Sequence, residues 1–302
     1  MLRPISFLTL LLLLAPPLAS AKPETRKKKS NRPAARAAGT PIPLPAVIPD
    51  DPADIALIAK GAIVIDALSG AAIFEKNSEE RFFPASATKI LTALLVIEEG
   101  DLDRPVVIEL PDTQVEPSAV YFKPGEQFTR RELLYALMLK SANDVAQALA
   151  RDNAGSVAAF AEKMTLRARQ LGAVNSHFMN PHGLHHPEHY TTPHDLALIG
   201  RAAMQQPVFR QFVSTLSYQW TGANGVVRLD NHNKMLRSFP GCTGLKTGYT
   251  VRAPHVLVSS ALRNHREVIC VVMHSDKPGK WTDSSLLLSY AFNHLPAAPQ
   301  LE

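Results

Sequence analysis

Pro84-Ala-Ser-Ala-Thr-Lys89 opens a helix. Beyond it Ile90, Ala93, Leu94 and Ile97 recur at helical spacing, and Gly100 stands where a C-cap belongs. Lys89 lies three residues after Ser86, on the same helical face, so the backbone aims an amine at a hydroxyl. A serine hydroxyl is a poor nucleophile until a base takes its proton. An exposed lysine is protonated and cannot do this. One that is desolvated and near other positive charge loses its proton near neutral pH. The helix N-terminus also favours negative charge developing at Ser86. Taken alone, a serine in this position is a helix N-cap, its commoner role there.

Two later triplets change that balance. Ser141-Ala-Asn143 breaks an apolar run between two helices. Ser and Asn favour such breaks because they cap. In a catalytic setting Ser141 relays a proton between Lys89 and a leaving amine, and Asn143 holds the substrate amide. Lys246-Thr-Gly248 falls in a predicted strand. A glycine within a strand marks close approach by another backbone, here a peptide substrate added as an extra strand. Lys246 supplies charge and Thr247 a hydroxyl for a terminal carboxylate, while the N–H groups of Ser86 and Tyr249 are candidate oxyanion donors. Ser-x-x-Lys and Ser-x-Asn each arise about once by chance in a chain of this length. In order and in these contexts, the three describe acyl transfer. Ser86 attacks a carbonyl, the terminal residue leaves, and water clears the acyl-enzyme.

The flanking pattern gives the fold class. Lys60–Asp66 and Ala71–Lys76 read as a hairpin turning at Ser69-Gly70. Thr129 with Glu132 forms a capping box for a helix over Arg130–Lys140. Helices follow at Asp144–Asp152, after Ser156, and over Pro193–Met204; residues 214–235 read as short strands and turns. Strands are predicted at Gly244–Tyr249, His255–Arg263 and Glu267–His274, the last two joined by Asn264-His265, with a helix at Trp281–Leu295. Strands at both ends and helices between predict an α+β fold: an antiparallel sheet built from both chain ends, flanked by helices, with an all-helical subregion. No internal repeat or second domain is visible.

Composition bounds the setting. Of 302 residues, 46% are hydrophobic and 20% charged, which is ordinary for a globular chain. Residues 1–21 combine Arg3, an apolar run with five consecutive leucines and Ala19-Ser20-Ala21, the pattern of a cleaved export signal. Residues 22–49 carry seven basic residues against Glu24, with Ala and Pro between, and read as a disordered leader. The whole chain has a net charge of +5; the leader and signal carry about +7 of it, leaving about −2 on the body at 50–296 and the tail at 297–302. The basic leader therefore suits anionic lipid or wall polymer, and an exported chain is not expected to meet nucleic acid. Cys242 is expected just ahead of one strand and Cys270 within another, with a third strand between, so as two free thiols. The histidines His177, His182, His185, His186, His189 and His194 fall mostly in a Pro/Gly-bearing segment without a His-Glu-x-x-His pattern. His186 and His189 are the conceivable ligand pair, but no metal and no cofactor is expected.

With these residues in place, the chain resembles the low-molecular-weight penicillin-binding proteins, the serine D-Ala-D-Ala carboxypeptidase family. The resemblance runs from about Ile55 to Leu295. It includes Pro84–Lys89, Ser141-Ala-Asn-Asp144, Phe178-Met-Asn-Pro-His-Gly-Leu184, Tyr190-Thr-Thr-Pro-His-Asp195, Asn231-His-Asn233 and Gly244-Leu-Lys-Thr-Gly-Tyr-Thr250. It implies the penicillin-recognising serine transferase (β-lactamase-like) fold. The implied action is on peptidoglycan stem peptides ending in D-Ala-D-Ala, with covalent inhibition by β-lactams. By the same match Ser86 is the nucleophile, Lys89 the base, Ser141 and Asn143 the second catalytic element, and Lys246-Thr247-Gly248 the carboxylate-binding strand. Many members carry glycine where Pro254 stands and arginine where His194 stands. These differences predict altered pairing beside the Lys-Thr-Gly strand and altered local ion pairing. The chain stops soon after its last helix, which predicts a soluble catalytic domain, a form that also resembles the D,D-endopeptidase branch. A β-lactamase needs a deacylating glutamate, for which no Glu-x-x-x-Asn element follows Ser141; a non-catalytic wall-binding protein would not need the intact motif set.

Overall fold

The computed structural model describes residue 42 and residues 44–295. The expected export signal, most of the expected leader and the expected tail lie outside those residues. Ten strands occur among the described residues: β1 Gly61–Asp66, β2 Ala72–Lys76, β3 Pro105–Val107, β4 Gln127–Thr129, β5 Ser217–Gly222, β6 Gly225–Asp230, β7 Cys242–Gly244, β8 Thr247–Gly248, β9 Val256–Arg263 and β10 Arg266–Met273. The helices are α1 Lys89–Glu99, α2 Arg130–Tyr135, α3 Asn143–Ala154, α4 Val157–Gln170, α5 Pro193–Met204, α6 Pro207–Ser214, α7 Met235–Ser238 and α8 Gly279–His294.

The main sheet is antiparallel, in the order β2-β1-β10-β9-β7, with β8 also on β9. Both chain ends build it, as expected. Successive side chains of a strand point to opposite faces, and here both faces are covered. Ile63, Ile65, Ile269 and Val271 join the helical region on one side. Val64, Val268, Cys270 and Val272 pack with Trp281, Leu287 and Leu288 of α8 on the other. That two-sided burial explains why β1 and β10 read as unbroken apolar runs rather than alternating ones. The turn between β9 and β10 has positive φ at both Asn264 and His265, the geometry of a tight two-residue hairpin. β9 separates Cys242 from Cys270, and both thiols are free.

Two local predictions need correction, and helix α6 had not been predicted. The strand expected over Gly244–Tyr249 is two short pieces. Gly244 and Leu245 both take positive φ, and the register to β9 shifts there. Gly244 accepts this because a Cβ would stand 2.7 Å from the Val213 carbonyl oxygen. The pairing resumes at once, with Lys246 and Val258 exchanging both backbone hydrogen bonds at 2.9 Å. Helix α6, entered through Pro207, lies just before a stretch read only as strands and turns. The helix over 130–140 changes at Ala136 into a π-helical turn that ends at Ser141. Pro254 does not disturb the ladder: β9 begins two residues later, where Gly248 pairs with Val256 and Thr247 with Leu257.

Candidate active site

Ser86 sits in a single 3-10 turn, Ala85–Thr88, immediately ahead of α1. Its hydroxyl caps nothing: Pro84 and Thr88 occupy the N-cap positions, and neither makes a side-chain cap. The hydroxyl instead meets Lys89. Ala85, just before it, is held at φ +47, a conformation that costs a non-glycine residue free energy and persists only when the surroundings impose it. The imposing group is the segment Asn180–Leu184. Gly183 presses on the Ala85 carbonyl so closely that a Cβ there would lie 1.8 Å from its oxygen.

Lys89 is completely buried. Its Nζ has three neighbours: Ser86 Oγ at 3.1 Å, Asn143 Oδ1 at 2.6 Å and the His182 carbonyl at 2.7 Å. Asn143 Oδ1 and the carbonyl can only accept, so they fix two N–H bonds. In the neutral amine the remaining lone pair then faces the Ser86 hydroxyl. Burial pushes the Lys89 amine well below its ordinary range, and the charge of Lys246 pushes it the same way; Asp144 opposes them.

Asn143 lies at the first position of α3, behind Ala142, and its side chain caps nothing. Its Oδ1 accepts from Lys89 and its Nδ2 donates to the Glu116 carbonyl at 2.7 Å. Both ends of the carboxamide are thus engaged within the protein, where a substrate amide had been expected. Ser141 takes a left-handed conformation, φ +63, between the π-helical turn and α3, and is buried. It is not among the hydrogen-bond partners of Lys89. Asp144 accepts from the N–H groups of Val120 at 3.0 Å and Tyr121 at 2.9 Å, and so pins the loop that carries Glu116.

Lys246 is buried at the bulge between β7 and β8. The one hydrogen bond its Nζ makes among the described residues goes to the Thr247 carbonyl at 3.1 Å. Burial, and secondarily Lys280, lower its pKa to about 7. Gly248 does mark a close approach, but the approaching backbone is the protein's own: a Cβ there would meet Pro84 O and Ser86 N at 3.1 Å. This contact sets the Lys-Thr-Gly strand against the turn that holds Ser86. Tyr249 is exposed and stacks on His255, centroids 4.6 Å apart. His255 Nδ1 lies 3.0 Å from Lys280 Nζ.

Sequence reading missed several of these groups. The His182 carbonyl and Gly183 lie in the Phe178–Leu184 segment, which carried the resemblance but was given no role, and a main-chain acceptor leaves no side-chain signal. Lys280 and His255 come from distant elements that only the sheet brings together. His189 is structural. Its Nδ1 accepts from Met179 N–H at 3.1 Å, so the neutral ring carries its proton on Nε2 and donates to Thr88 Oγ1 at 2.9 Å. With both nitrogens engaged, the pair with His186 offers no ready ligand set.

A half-buried serine paired with a fully buried lysine beside a lysine-bearing strand, set between a two-faced antiparallel sheet and a helical region, defines the class of active-site serine enzymes to which penicillin-binding proteins belong. A family profile described as D-alanyl-D-alanine carboxypeptidase matches residues 47–277, and the chain belongs to that family. The D-alanyl-D-alanine carboxypeptidase DacB2 of Mycobacterium tuberculosis is 36% identical over 257 residues, covering 83% of this chain and 86% of the relative. The D-alanyl-D-alanine carboxypeptidase of Streptomyces sp. K15 is 33% identical, covering 85% and 94%. Among solved structures, a D-alanyl-D-alanine carboxypeptidase from Mycobacterium tuberculosis aligns with a TM-score of 0.76 at 34% identity over 85% of this chain and 96% of that one. A variant of the Streptomyces K15 DD-transpeptidase aligns with a TM-score of 0.75 at 31% identity, over 79% and 99%.

Proposed function

We propose that the protein is a serine D,D-carboxypeptidase that removes the terminal D-Ala from peptidoglycan stem peptides through an acyl-enzyme at Ser86. The observation that carries this is the Lys89 amine, buried without a carboxylate among its hydrogen-bond partners and turned on the Ser86 hydroxyl. Lys89 takes the hydroxyl proton as Oγ attacks the penultimate carbonyl. The tetrahedral oxyanion is received by the N–H groups of Ser86 and Tyr249, which the Gly248 contact holds on neighbouring backbone. Lys246, still charged below about pH 7, and Thr247 bind the terminal carboxylate. On collapse the C–N bond breaks, the amine takes a proton by way of Ser141, and D-alanine leaves. Water then attacks the ester, with Lys89 again as base, and returns Ser86. Asn143 serves chiefly to orient Lys89.

A β-lactam follows the same first step, but its opened ring stays attached as a leaving group that cannot depart. The export signal and the basic leader support action in the periplasm or cell-wall space, with the leader held near anionic wall or membrane. Among the described residues no helix is long and apolar enough to cross a membrane. Action on cross-bridges as a D,D-endopeptidase uses the same residues, and the Ser-Ala-Asn-Asp144 context favours carboxypeptidase trimming.

The test is product mass analysis on purified peptidoglycan, with a labelled penicillin in parallel. Free D-alanine and a long-lived adduct on Ser86 are expected, both lost in Ser86→Ala. Monomers released from cross-linked dimers without D-alanine would assign the endopeptidase reaction instead. Rapid penicillin turnover would make it a β-lactamase, and D-alanine release by the Ser86→Ala protein would refute the mechanism.

A further inference from the structure

Away from the catalytic cleft, Glu79, His194 and Asp195 bring three potential ligand atoms within 4.8 Å of one another. Glu79 lies on the connection after β2; the other two begin α5. Asp195 is buried, and its two oxygens are used unequally. Oδ2 accepts from Asn175 N–H and from Ser176 Oγ, both at 2.7 Å. Oδ1 is buried with no hydrogen-bond partner. A buried carboxylate oxygen without a partner is costly and calls for an explanation.

The neighbouring imidazole does not supply one. His194 Nδ1 stands 3.7 Å from Asp195 Oδ1 and 3.3 Å from Glu79 Oε1. Charge-assisted hydrogen bonds are shorter, about 2.7–2.9 Å, and at 3.7 Å the ring leaves Asp195 Oδ1 without one. A cation bound to neutral Nδ1 would satisfy both carboxylates at once. Around a tetrahedral ion with bonds of about 2.0–2.2 Å, ligand atoms lie roughly 3.3 Å apart, close to the two spacings from His194 Nδ1, and all three atoms lie within 4.8 Å of one another.

The ligands are also held from behind, as metal ligands are. Asn175 serves both carboxylates: its N–H binds Asp195, and its Nδ2 binds Glu79 Oε2 at 3.0 Å. The backbone N–H of His194 donates to the Ser78 carbonyl at 3.0 Å, which fixes the main chain that carries the ring. Each carboxylate is left with one oxygen turned toward the imidazole.

We propose that Glu79, His194 and Asp195 form a divalent transition-metal site, with zinc the ion their donor set suits. One imidazole nitrogen and two carboxylates, with a fourth position open to water, match zinc. The imidazole selects against magnesium and calcium, which take oxygen ligands. The role is structural. Phe82, three residues beyond Glu79, exchanges both backbone hydrogen bonds with Thr191, and Ser86 follows four residues later. A bound ion would strap the approach to the nucleophile onto the start of α5.

Titration calorimetry with zinc chloride on the metal-stripped protein tests this independently of activity. One equivalent is expected to bind. Affinity should fall at least tenfold in His194→Ala and in Glu79→Gln, and by about 10–100-fold in Asn175→Ala, which touches no metal. His194→Arg places a permanent cation between the carboxylates; it should melt above the stripped wild type and no longer respond to zinc. His186→Ala should bind as wild type does. The proposal fails if zinc does not bind, if His194→Ala and Glu79→Gln both bind it unchanged, or if His186→Ala alone abolishes binding.

Discussion

At the scale of single residues, two lysines share one environment but need opposite charge states. Lys89 must be neutral to act as base, so acylation fails as pH falls through its depressed pKa. Lys246 must be charged to hold a carboxylate, and it loses that charge as pH rises through about 7. A bound carboxylate favours the charged form, so the alkaline limb belongs to the free enzyme. The pH profile of kcat/KM for a D-Ala-D-Ala peptide should therefore fall on both sides, with kcat holding up further into alkali. Lys246→Arg keeps its charge and should move the alkaline limb of kcat/KM up by at least about one pH unit; an unmoved limb would assign it to another group. Gly183 makes a steric claim. At φ +85, with a Cβ that would overlap the Ala85 carbonyl, Gly183→Ala must displace either the Ser86 turn or the His182 carbonyl. Penicillin acylation, followed by stopped flow, should slow at least 100-fold. Gly155→Ala shares the positive φ but meets nothing within 4 Å; it should cost only about 1–2 kcal/mol in stability and leave acylation within twofold. Equal rates in the two variants would remove Gly183 from the site.

Among elements, the loop over residues 116–122 is governed by Asp144. Burial raises its pKa, against the lowering effect of the N–H groups it accepts from, Tyr121 foremost. The same loop returns the Ser118 carbonyl to Asn143 N–H at 2.7 Å and the Glu116 carbonyl to its side chain. Asp144→Ala orphans the N–H groups of Val120 and Tyr121. It should cost about 3 kcal/mol in urea denaturation and slow acylation about tenfold; a loss below about 1 kcal/mol would mean the loop holds itself. Periodicity and caps revealed most elements at this scale. The Thr129–Glu132 capping box is present as expected, and α5 spans Pro193–Met204 as expected. What stayed hidden was tertiary in origin. The bulge at Gly244–Leu245 follows from Val213 behind it, and the π-helical turn carries no mark of its own in Ala136–Lys140. Ser86 and Asn143, both good cap residues, cap nothing, because Lys89 claims them. The three motifs could be found from their order and context, whereas the main-chain acceptor at His182 could not.

Across the whole molecule, the site is built by burying groups that would rather be charged, and the fold bears that burden at low pH. His182 and His189 are both held down to about 3, first by burial and then by neighbouring positive charge. Each accepts a backbone N–H on Nδ1, which protonation would forbid. Between about pH 3 and 6.5 the unfolded chain binds a proton at each position and the folded chain does not. Stability must therefore rise with pH across that window and be lost as pH falls. Buried carboxylates with raised pKa, Asp144 and Asp195 among them, act in the opposite sense, so the net slope is smaller than the histidines alone would give. A difference measurement isolates one ring. His189→Asn removes its titration, whatever stability it costs at neutral pH. Urea unfolding at several values between about pH 4 and 6 should give a variant slope shallower than wild type by about 1.4 kcal/mol per pH unit, the linkage of one proton. Parallel slopes would mean His189 is protonated in the folded protein, and its hydrogen bond from Met179 could not then exist.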